Sequence, residues 1–76
     1  MITVKILIDT IEKVKNFNAI LNKEDGDFDI VGGGYIIDAR SIMGIFSIDI
    51  SKPLQLNIHS DDAQTVENLK DYIVEE

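Results

Sequence analysis

Gly32-Gly33-Gly34-Tyr35-Ile36-Ile37-Asp38-Ala39 is the stretch on which the fold turns. Just upstream, Phe28 and Ile30 share a face across Asp29, which is the alternation of a strand. Downstream, Tyr35 to Ala39 reads as a second strand, so the glycine run joins two strands as a hairpin. A glycine loop that cradles phosphate would have to lead into a helix, whose first amides hold the anion. A strand follows instead, and a nucleotide site is set aside.

Working outward, Ile2, Val4, Ile6 and Ile8 alternate with Thr3, Lys5 and Leu7, which predicts a first strand. Asp9 and Glu12 then fit a capping box, with Ile11, Val14, Phe17 and Leu21 on one face of the helix behind them. That helix is expected to stop near Lys23, ahead of the Glu24-Asp25-Gly26 turn. Beyond the hairpin, Ser41 is placed to cap a short helix through Ile42, Met43, Ile45 and Phe46 to about Ser47. Gly44 inside that helix costs about 1 kcal/mol relative to alanine, so packing must support it. Leu54, Leu56 and Ile58 form the inner face of a last strand, while Gln55, Asn57 and His59 point the other way. Ser60 or Asp61 caps a final helix, with Asp61 and Gln64 as a second capping box. Ala63, Val66, Leu69 and Ile73 are its expected buried stripe.

The order is therefore β-α-β-β-α-β-α, one domain over residues 1–76, without a linker or repeat. A last strand that is apolar on one face only implies an antiparallel sheet with helices on one side and water on the other. This is an α+β open-faced β-sandwich. Strand orders 1-4-2-3 and 4-1-3-2 both suit the pattern, and periodicity does not choose between them.

Composition narrows the partners. Lys and Arg number 7 against 14 Asp and Glu, for a net charge of −7. Nucleic acid and anionic membrane surfaces both demand a surplus of cations, so neither is an expected partner. An apolar share of 45% is too high for disorder. Without cysteine there is no disulfide and no thiolate metal site. No apolar run approaches membrane-spanning length, no signal-peptide profile leads the chain, and the expected compartment is the cytoplasm.

Few side chains invite chemistry. His59 is the single imidazole, so a phosphohistidine or general base near neutral pH would have to use it. Its position at a strand end also fits a half-exposed residue with no such role. Glu24, Asp25, Asp27 and Asp29 invite a calcium reading, but the string lacks the ligand frame and closing glutamate of a calcium loop. A solvated acidic loop and strand face explains them better. No serine has a triad partner. Neither a catalytic residue nor a metal or cofactor is assigned.

Arg40-Ser41-Ile42-Met43-Gly44-Ile45-Phe46-Ser47-Ile48 resembles the regulatory-serine segment of HPr, the phosphocarrier of the bacterial phosphotransferase system. Chain length and element order resemble that family too, and the resemblance implies strand order 1-4-2-3 with three helices on one face. It departs at the junction between the first strand and first helix. There the family carries a phosphoryl-accepting histidine in a Gly-x-His-Ala-Arg-Pro-like loop, whereas this chain reads Ile8-Asp9-Thr10-Ile11-Glu12-Lys13. A phosphohistidine needs free helix amides and a cation, and acids at that place would repel its dianion.

The resemblance thus implies a non-catalytic regulatory or adaptor protein, not an enzyme, with Ser41 as the candidate acceptor of a regulatory phosphoryl group. Arg40, Ile42, Met43 and Phe46 are the candidate partner-binding residues. The implied partner is a protein: a serine kinase or a transcriptional regulator. Two alternatives stand beside it, an unconventional phosphocarrier and a docking domain with no phosphotransferase role.

Overall fold

The strand β4 (Leu54–Ile58) enters the sheet last and lies at its centre, paired antiparallel to β1 (Ile2–Ile6) on one side and to β2 (Phe28–Gly32) on the other. The hairpin partner β3 (Tyr35–Asp38) completes a four-stranded sheet of order β1-β4-β2-β3. The computed structural model describes residues 1–74. Three helices accompany the sheet: α1 (Ile11–Leu21), α2 (Ile42–Phe46) and α3 (Ala63–Asn68). The open-faced α+β sandwich and the 1-4-2-3 order are as expected from the resemblance.

Register explains the two faces. Across the sheet, Val4, Leu56, Ile30 and Ile37 stand in one row, and Ile2, Ile58 and Phe28 in the next. These rows meet Val14, Phe17 and Leu21 of α1, Ile45 of α2 and Leu69 after α3 in one apolar core. On the opposite face, Thr3, Asn57, Asp29 and Asp38 form a row, and Lys5, Gln55, Val31 and Ile36 form another. Thr3 Oγ1 and Gln55 Nε2 both donate to Asn57 Oδ1, at 3.2 and 2.9 Å, so this face is laced by side-chain hydrogen bonds.

The hairpin closes on the Gly32–Tyr35 pair, leaving Gly33 and Gly34 as its two turn residues. Both have positive φ, +58° and +84°, the geometry of the tight turn that suits the twist of paired strands. A side chain at either position would be strained, which is why the run is glycine.

Helix ends depart from expectation in consistent ways. Thr10, not Asp9, caps α1, accepting from Lys13 N at 3.1 Å. With the cap one residue later, Lys13 takes the place where Glu12 would have closed the capping box. Asp9 pairs instead with Lys13 Nζ at 3.0 Å. Asp62 caps α3 by accepting from Gln64 N, so the Asp61–Gln64 box does not form, and Asp61 takes the terminal amine of Met1 at 3.3 Å. Ile11 lies on the stripe of α1 but is 62% exposed, one turn short of a core that begins at Val14.

The last stripe is also redrawn. Ala63 is exposed, and the buried positions are Thr65 and Leu69, with Val66 half-buried. The helix ends at Asn68, so Ile73 is not on it. Ile73 instead bridges antiparallel to Ile6, flanked by bonds from Leu7 N to Tyr72 O (2.8 Å) and from Val74 N to Lys5 O (2.9 Å). Backbone pairing along β1 outweighs helix continuation there, and Tyr72 also sets its ring edge-on to Phe17, centroids 5.8 Å apart. The β1 edge is thereby covered, whereas among the described residues β3 has no strand beyond it.

The central strand carries the fold. Leu56→Ala, at a fully buried position in β4, is expected to cost about 2–5 kcal/mol in urea unfolding. Gln55→Ala, one residue away on the outer face, is expected to change stability by about 1 kcal/mol or less.

Candidate functional site

Ser41 begins α2 with extended backbone, and its Oγ accepts from Gly44 N at 3.2 Å. The hydroxyl is exposed, so the cap faces solvent. A Cβ at position 44 would lie 3.3 Å from Ser41 Oγ, so the glycine that weakens the helix also leaves room at the cap. Downstream, Ile45 is fully buried and Ile42 half-buried, while Met43 is 77% and Phe46 42% exposed. The short helix thus splits its apolar residues between the core and an outward patch.

Arg40, a candidate partner-binding residue, is half-buried and tied to its neighbours through backbone and side chain. Its carbonyl accepts from Asn18 Nδ2 of α1 at 2.7 Å, and its amide donates to Asp38 Oδ1 at 2.9 Å. The guanidinium donates through Nη2 to the Glu24 carbonyl and lies 5.4 Å from the Phe28 ring centroid. Its Nε is buried with no partner among the described residues. Desolvation of that donor costs free energy, which the charge-assisted bond and the stacked ring offset. Glu24 is the other half of this brace. Its carboxylate accepts from Thr65 Oγ1 at 2.9 Å and Asn68 Nδ2 at 3.5 Å, which ties the α1–β2 turn to α3.

The junction of β1 and α1 lies at the opposite end of the molecule's long elements. Ile6 pairs with Leu54 there, whereas Asp38 and Ser41 follow the far end of the sheet. In the first turn of α1 the Lys13 amide donates to Thr10 Oγ1, and Asp9 stands beside Lys13. The hydrogen bond from Lys13 is the main reason the Asp9 carboxyl is held below its ordinary value.

Two solved structures share this architecture. HPr-C-His from Thermoanaerobacter tengcongensis superposes with a TM-score of 0.78 at 23% identity, covering 93% of this chain and 89% of that one. The phosphocarrier protein HPr from Bacillus anthracis str. Ames gives 0.74 at 22% identity, with 96% of each chain covered. The fold is the HPr fold. No protein-family profile matches the sequence, and no match to a curated protein is found.

Within this HPr fold, the single histidine lies far from the β1–α1 junction. The register pairs Ile58 with Ile2, so His59 stands one residue beyond, at the start of β1. It is on the outer face, as its alternation implied, and Nε2 lies 2.5 Å from Asp29 Oδ2. Asp27, Phe28, Asp29, Asp38 and His59 line a depression of about 320 Å³ there. The acids of the Glu24–Asp29 string divide: Glu24 serves α3, while Asp27 and Asp29 line this depression with His59. Among the described residues, no three His, Asp or Glu side chains are placed to hold a metal ion, and no helix is long and apolar enough to cross a membrane.

The roles of Asn18, Glu24 and Ile36 were not assigned from the sequence. Nothing in a helical pattern marks Asn18 as the clamp on the Arg40 carbonyl. For Ile36 a signal existed: adjacent isoleucines in a strand must point to opposite faces, so one of Ile36 and Ile37 had to face outward. Ile36 is the one, at 71% exposure.

Two outcomes follow. Ser41→Ala is expected to cost about 1 kcal/mol by loss of the cap, and Ser41→Asp to recover most of it, read by urea unfolding. Because the Asp9 pKa is lowered on folding, its contribution to stability is present above the unfolded value of about 3.9 and fades as pH falls through the folded value. Lys13→Met is expected to return Asp9 toward its ordinary value in a carboxyl NMR titration.

Proposed function

We propose that this HPr-fold protein is a non-catalytic regulatory or adaptor module related to the sugar phosphotransferase system. It docks on a partner protein in the cytoplasm through the α2 surface, with Ser41 as the acceptor of a regulatory phosphoryl group. The observation that carries this reading is the exposed Ser41 hydroxyl, capping a helix whose Met43 and Phe46 stand outward beside it. In this reading Ile42 supports the patch from the half-buried side, and Arg40 holds the corner in place behind it.

Phosphorylation at an N-cap places a dianion against helix amides, where the helix favours negative charge. The fold accommodates it, and an apolar patch acquires a charged rim. That change is what a kinase-controlled partner would sense. HPr-type proteins are phosphocarriers, and the unconventional-carrier alternative would rest on His59. Its surroundings oppose this: a phosphoryl group on the imidazole would meet Asp27, Asp29 and Asp38 rather than cations.

Intact-mass analysis after two incubations separates these readings. With ATP and the HPr serine kinase, a gain of one phosphoryl group is expected, and Ser41→Ala is expected to abolish it. With phosphoenolpyruvate and the general phosphotransferase enzyme, no gain is expected; a gain lost in His59→Ala would establish the carrier and overturn the proposal.

A further inference from the structure

The outer face of the sheet at the β2–β3 end is built unlike a face left only to water. Asp29 and Asp38 stand directly opposite one another, and cross-strand like charges destabilise a sheet. Asp27 joins them around the same depression, where His59 is the one basic side chain in the lining. In the next row, which runs on to Gln55 and Lys5, the β2–β3 end is apolar, because Val31 and Ile36 are also directly opposed. Val31 is half-buried and Ile36 is 71% exposed. The two rows are one strand repeat apart, about 7 Å. Among the described residues no strand lies beyond β3 and the helices are on the other side of the sheet, so the face is open.

We propose that this face is a second docking surface, and that its occupant is a basic segment of a protein partner. Lysine or arginine side chains of the segment enter the depression and neutralise Asp27, Asp29 and Asp38. An apolar side chain of the same segment, one repeat away, covers Ile36 and Val31. Charge decides the occupant: the chain carries a net −7, so a second copy would be repelled, as would an anionic lipid surface or nucleic acid. The apolar row decides that the occupant is more than a counter-ion, since burying Ile36 contributes only if an apolar group lies against it. The surface is on the side of the sheet away from α2, so both can be occupied together. It does not rest on the role proposed for Ser41.

The probe is a blocked synthetic peptide of Ser-Lys-Ser-Val repeats, in which lysine and valine are two residues apart and share one face when extended, titrated into the ¹⁵N-labelled protein. The same peptide with serine in place of valine (lysine–serine) and with glutamate in place of lysine are the controls. Amide shifts are expected to cluster at residues 27–38 and 55–59, with the lysine–serine peptide about tenfold weaker and the glutamate peptide silent. Asp38→Asn keeps an acceptor for the Arg40 amide, and Ile36→Ser alters an exposed side chain, so both are expected to retain the native spectrum. Each is expected to weaken the lysine–valine peptide by about tenfold, with Asp27→Asn as the substitute should Asp38→Asn perturb the fold. Equal binding of the lysine–serine peptide, shifts spread over all carboxylates or centred on α2, or unchanged affinity in the variants would each overturn the proposal.

Discussion

Everything in this molecule depends on β4 finding its place between β1 and β2. Leu54, Leu56 and Ile58 are buried, and their row-mates come from strands some fifty and thirty residues away in the chain. A slip of one residue would turn all three into water and bring Gln55 and Asn57 into the core, so burial specifies the register strongly. Once β4 is seated, the faces of β1 and β2 are settled, the helices have one apolar surface to cover, and the other side of the sheet is committed to solvent.

The corner that presents Ser41 is held by polar contacts rather than by this core alone. Asn18 clamps the Arg40 carbonyl, the Arg40 guanidinium reaches the Glu24 carbonyl, and the Glu24 carboxylate reaches Thr65 and Asn68. One turn residue thereby joins the entry of α2 to α3. A helix as short as α2 has little stability of its own, because nucleation costs more than so few bonds return. Packing of Ile45 and this brace supply what the local sequence does not, and they leave Met43 outward.

The sheet separates two surfaces of different chemistry. On one side a helix cap and an apolar patch stand together; on the other, carboxylates and a bare isoleucine. The histidine belongs to the second, at the start of β1, while the head of α1 is capped by Thr10. An adaptor reading draws its strength from this layout, since a phosphoryl carrier needs its imidazole among donors and cations.

Local pattern determined a good deal. Alternation in Leu54–Ile58 and Ile2–Ile6, the glycine turn and the Ser41 cap were all legible, because each depends on neighbours within a few residues. The resemblance of the Ser41 segment chose the strand order that periodicity left open. The choice of Thr10 over Asp9 as cap is a local one that spacing did not resolve. Tertiary structure decided that Asp61 goes to the terminal amine while Asp62 caps, and that Ile73 leaves the helix to pair with β1. It also decided that Arg40 faces inward to Glu24, and that Asp29, Asp38 and His59 share one face. Such outcomes depend on contacts between residues distant in the chain, and period and spacing carry no record of which distant residues will meet.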